Sequence, residues 1–76
     1  MLSFRVIKSG NAVEIDCDAE GMSVLLGALA ELVGEHASHR HLWAPSHGGS
    51  ALSDTTPHGE KALNEVIINY VESGSN

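Results

Sequence analysis

A chain of 76 residues has material for one core and buries only about 60% of the surface its unfolded form exposes, which argues against a second domain or a deep substrate pocket. Apolar residues make up 42% of it while Trp, Tyr and Phe occur once each, so stability has to come from aliphatic packing and disorder is a poor fit. Ten acidic against four basic side chains give a formal charge of −6, a field that disfavours nucleic acid and anionic membrane and favours a basic protein partner.

Leu2, Phe4 and Val6 alternate with Ser3 and Arg5, and after Ser9-Gly10-Asn11 the alternation resumes with Val13, Ile15 and Cys17 against Glu14 and Asp16. The pattern predicts an antiparallel hairpin with its apolar residues turned inward and with Glu14 and Asp16 sharing the outer face. Gly10-Asn11 supplies residues that tolerate the positive φ of a tight turn. The first strand does not read as a signal peptide, and no segment reaches the ~20 apolar residues of a membrane span, so the expected address is cytoplasmic. Cys17 stands alone; without a partner for a disulfide it reads as a small inward hydrophobe.

After Asp18 the period changes. Met22, Leu25, Leu26, Leu29, Leu32 and Val33 recur at helical spacing, with Asp18 as N-cap candidate and Gly34 near the stop. Gly27, Ala28 and Ala30 leave a thin outer face that carries Glu31. Residues 39–44 read as a third strand ended by Pro45, and residues 45–58 form a Gly/Ser/Thr-rich loop of a length common in functional segments. In the last segment, Leu63, Val66, Ile67, Tyr70 and Val71 fit a helix, whereas the run from Val66 to Val71 is β-branched and aromatic enough for a strand. With a strand there, the single domain over residues 1–76 is α+β: a small, mostly antiparallel sheet in ββαββ order with one amphipathic helix on one face. Four strands make a sheet about 19 Å wide and one helix covers only ~10–12 Å. The remainder needs the long loop, a second copy in a homodimer, or an open polar face.

The residues offer little for catalysis. His36, His39, His41, His47 and His58 invite a metal reading, and His39 and His41 share a strand face, but no third ligand stands at a defined spacing. Histidines anchoring surface and loop are the plainer reading, with no metal and no cofactor. Ser46 and Ser50 belong to no nucleophile elbow, and Gly48-Gly49 lacks the Lys-Ser/Thr of a phosphate loop, which leaves it as a turn. Trp43 shares the face of His39 and His41, opposite Leu42. It is either an exposed anchor for a partner or a cover for the sheet beneath the loop.

The run from His39 to Ser53, with Pro45, Ser46, Gly48 and Gly49 after His39-Arg40-His41-Leu42, resembles the signature stretch of immunity protein family thirty-two of bacterial polymorphic toxin systems. The upstream helix opening with Gly21, and Gly59, Glu60, Leu63, Asn64, Ile67 and Tyr70 downstream, extend the resemblance; His47 stands where the family is expected to have an aromatic. The resemblance implies a terminal strand. It also implies a protein that is not an enzyme: an antitoxin that binds a cognate toxin, for which a basic nuclease is the class that suits the acidic charge. The candidate toxin-binding residues are His39, His41, Trp43 and His47, with Glu14 and Asp16 on the hairpin. A small metal-binding domain using the His-x-His strand and a structural subunit of a larger assembly are the alternative readings.

Overall fold

The computed structural model describes residues 1–35 and 38–71. The order is β1 (Leu2–Ile7), β2 (Ala12–Cys17), α1 (Ala19–Glu35), β3 (His39–Trp43) and β4 (Glu65–Asn69), a small α+β fold. β1 and β2 pair antiparallel with Leu2 opposite Cys17 and Val6 opposite Val13. β3 and β4 do the same with Leu42 opposite Val66 and Trp43 opposite Glu65. The last segment is therefore a strand, and the four strands form two ribbons instead of one continuous ladder.

The long loop explains the division. Leu52 N–H donates to the Trp43 carbonyl at 3.2 Å and Ser53 N–H to the Leu2 carbonyl at 2.8 Å. Further along, Leu63 N–H donates to the Phe4 carbonyl at 2.8 Å and Ala44 N–H to the Asn64 carbonyl at 2.9 Å. The first three bonds put loop backbone on the edges of β1 and β3 that their partner strands leave open, and the fourth continues the β3–β4 ladder.

In the β1–β2 turn, Lys8, Ser9 and Gly10 take positive φ values of 54°, 59° and 88°, while Asn11 has φ −93° and donates its N–H to the Lys8 carbonyl. The left-handed stretch thus starts two residues before the expected Gly10-Asn11, because Ile7 pairs with Ala12 and leaves four residues to make the connection. Asp18 caps α1: its Oδ1 accepts the Gly21 N–H at 2.8 Å and pairs with the Met1 ammonium. The ammonium first, and then the Gly21 N–H, hold the Asp18 carboxyl below its ordinary value.

Leu2, Phe4, Ala28, Leu42, Ala44 and Leu52 make the core, with Cys17, Leu25, Val66 and Ile68 packed at its margin. The roll of α1 differs from the expectation. Ala28 and Leu32 are buried and Leu25 half-buried, whereas Met22, Leu26, Leu29 and Val33 are exposed. Leu25, Ala28 and Leu32 form one stripe at i, i+3, i+7, and the ion pair of Glu31 with Arg40 Nη1 at 2.6 Å pins the flank beside it to β3. The apolar arc of α1 is wider than the surface the sheet offers, so its far flank stays in solvent.

The hairpin departs from expectation in a related way. Val6, Val13 and Ile15 lie on the helix-bearing face with Leu2 and Phe4, but α1 does not extend over them and they remain exposed. On the opposite face Ser3 is fully buried, and Glu14 and Asp16, expected on an open outer face, are half-buried. Arg5 bridges Glu14 and Glu60 at 3.4 Å each, which ties the loop to that face. Among the described residues no helix is long and apolar enough to cross a membrane.

Candidate protein-binding site

Strand alternation turns Leu42 into the core, at 1% exposure, and His39, His41 and Trp43 to the other side of β3, where Trp43 is 42% exposed. The register then sets Glu65 of β4 directly across from Trp43. Its Oε2 accepts the indole Nε1–H at 2.7 Å and lies 2.8 Å from His41 Nδ1. The His41 ring is 5.3 Å from that of Trp43 at an interplanar angle of 34°, and 5.0 Å from that of His39 in an edge-on contact at 80°. His39 Nδ1 is 3.0 Å from Ser38 Oγ. The result is a row of three rings along one strand, clamped by one carboxylate from the next.

The bond to His41, and after it the bond to Trp43, hold the Glu65 carboxyl below its ordinary value. Since the folded-state pKa is the lower one, the clamp is fully present above the unfolded carboxylate pKa. It is lost as pH falls through the folded value. Acidification below pH 4.5, the ordinary value for this carboxyl, should therefore change Trp43 fluorescence while the fold persists. Glu65→Gln should abolish that transition, and its persistence in the variant would assign it to another group.

The adjoining loop is fastened to the same end of the site. Residues Pro45–His47 form a single helical turn, ended by Gly48 at φ 83° with its N–H on the Pro45 carbonyl at 3.0 Å. Gly49 passes so close to Trp43 that a Cβ there would run into the Trp43 Cβ and carbonyl. Gly48 thus serves backbone conformation and Gly49 serves close approach. Asp54 accepts the Ser46 N–H at 3.2 Å and the Ser46 hydroxyl, and Asn64 Nδ2 donates to Ser46 Oγ at 2.8 Å and to Asp54 Oδ1 at 3.2 Å. The Ser46 hydroxyl first, then Asn64, lower the Asp54 carboxyl. His47, exposed, stands 3.3 Å from Ser46 Oγ through its Nδ1, and its charge contributes to lowering Glu65.

The structure thus brings His39, His41 and Trp43 together and sets His47 on the fastened loop beside them. Glu14 and Asp16 lie on the other ribbon, and no hydrogen bond or ion pair among the described residues joins them to the β3 cluster. Glu65 was absent from the sequence reading, as was the role of Asp54 and Asn64. Only the β3–β4 register makes Glu65 the partner of Trp43; the paired polar residues 54 and 64, flanking an excursion with Gly59 at positive φ, were the one signal available. His58 is exposed in that excursion, its N–H on Thr56 Oγ1 at 3.3 Å, and His36 lies outside the described residues. Among the described residues no three His, Cys, Asp or Glu side chains stand close enough to hold a metal ion. Compared with family models, with curated proteins and with solved structures, the chain finds no match.

Proposed function

We propose that this chain is a cytoplasmic immunity protein that neutralises a cognate bacterial toxin by binding it, without catalysis of its own. The observation that carries this reading is the exposed indole of Trp43, held by Glu65 and flanked by His39 and His41 on a paired strand. A half-exposed aromatic already fixed in one geometry loses little freedom when a partner closes over it, which is the property of an interface anchor. His47 on the fastened loop extends the same surface. The net charge of −6 raises the encounter rate with a basic toxin, a nuclease being the class that fits, and added salt slows that encounter.

The test is growth rescue. Co-expression should protect cells from a cognate toxin, sought in the neighbouring genes, and from no unrelated toxin, and the purified chain should show no turnover of nucleotide, ester or peptide substrates. Failure to rescue, or turnover at an enzymatic rate, overturns the reading.

A further inference from the structure

We propose that this chain forms a two-fold homodimer through the outer edge of β2, with the exposed flanks of the two α1 helices facing one another over a shared apolar floor. Three observations converge. First, β2 pairs with β1 on one side and, among the described residues, with no strand on the other. The row of backbone donors and acceptors along Ala12–Cys17 is an edge of the kind that templates pairing. Edges meeting about a two-fold axis pair antiparallel, which a strand can do with its own copy.

Second, the apolar residues left in solvent lie next to that edge. Val13 and Ile15 of β2 and Val6 of β1 occupy the helix-bearing face of the ribbon, 47–59% exposed. On α1, Met22, Leu26, Leu29 and Val33 recur at i, i+4, i+7, i+11 and are 40–62% exposed, one continuous stripe. The side to which this stripe points follows from the helix wheel. Glu31 precedes buried Leu32 by one residue and is held on Arg40 of β3; Val33 follows Leu32 by one residue and so lies on the opposite flank. Val24, on the Glu31 flank, lines a surface depression with Ser50 and Ala51 of the loop beside β3, which confirms the orientation. The backbone of residues 52 and 53 lies between β3 and β1, and β2 is the neighbour of β1. The flank away from β3 is therefore the flank toward β2.

Third, the exposed area fits a second copy. These side chains leave on the order of 600 Å² of apolar surface in solvent, the upper end of what monomers leave in one patch and close to the ~800 Å² per partner of a standard interface. The patch itself carries no charge; on the opposite face the pairing brings Glu14 and Asp16 of the two copies near one another, where each Glu14 is held by its own Arg5. Because a two-fold axis normal to the ribbon keeps both helices on one face, the stripe of each copy meets that of the other over the joined Val13 and Ile15 floor. His39, His41 and Trp43 point away from the helix-bearing side, so the dimer stands independently of the toxin-binding reading.

Sedimentation and light scattering of the full chain, 8.0 kDa per copy, test the proposal. The expected result is a mass twice that value at tens of micromolar, with backbone amides on the outer edge of β2 protected from hydrogen exchange more strongly as concentration rises. Val13→Lys and Leu26→Lys, made separately at exposed positions and checked for unchanged circular dichroism, should each weaken dimerisation at least ten-fold. A monomeric mass at all concentrations overturns the proposal. So does a dimer that both substitutions leave intact, or one whose β2 amides exchange as freely as in dilute protein. Loss of growth rescue in these variants with no change in mass would also overturn it, by assigning the patch to the toxin.

Discussion

Leu42→Ala should lower the stability of the fold by about 2–5 kcal/mol, the range for truncating a buried leucine whose surroundings only partly close the cavity. Leu42 is 1% exposed and sits where β3, the helix and the loop converge, in a core that also holds Ala28 and Ala44. Alanines have no length with which to refill the space, which places the cost in the upper part of that range. A domain of this size has about 5–15 kcal/mol in total, and each kcal/mol moves its melting temperature by roughly 4–8 °C. Urea unfolding should show the midpoint falling sharply with an unchanged slope. A loss under about 1 kcal/mol would mean that β3 does not rest on Leu42 and that the assignment of its two faces is wrong.

Trp43→Ala should have the complementary effect: if the proposed function holds, binding to a cognate toxin weakened by about 2 kcal/mol or more, roughly 30-fold in Kd, and stability changed by less than about 1 kcal/mol. The structure gives the reason for the second half. The close contact from Gly49 is to the Trp43 Cβ and main chain, which alanine retains, and Glu65 keeps its bond to His41. Trp43→Phe should fall between, since it keeps a ring on the surface but loses the Nε1–H that Glu65 holds. Calorimetric titration against the toxin, beside thermal melts of each variant, separates the two effects. A variant that melts far earlier and binds normally would make Trp43 a cover for the sheet, and the binding surface would lie elsewhere.

Local pattern was enough for the elements themselves. The two-residue alternation of residues 2–7 and 12–17, the helical recurrence after Asp18 with its capping carboxylate, and the inward Leu42 with outward His39, His41 and Trp43 all depend on neighbours within a few positions. That is the range over which backbone geometry ties side-chain direction to sequence. The last segment was different, because Val66, Ile67 and Tyr70 suit either period. Pairing of β4 with β3, a contact between residues some 25 positions apart, decides it as a strand.

The tertiary structure alone settled which apolar and polar faces are covered. Periodicity marked Met22, Leu26, Leu29 and Val33 as part of an apolar arc, but burial depends on how much surface the sheet presents and on the roll that buries Ala28 and Leu32 and turns Glu31 toward Arg40. Glu14 and Asp16 alternated as an outer face should, yet both are half-buried, Glu14 beside the Arg5 guanidinium that also holds Glu60 of the returning loop. Glu65 became part of the site only through register, and Asp54 and Asn64 only through the closure of the loop on Ser46. What the chain's order of residues determined by itself was the direction of each side chain from its own backbone. What stands opposite that side chain is a long-range contact, decided by the packing of the whole domain.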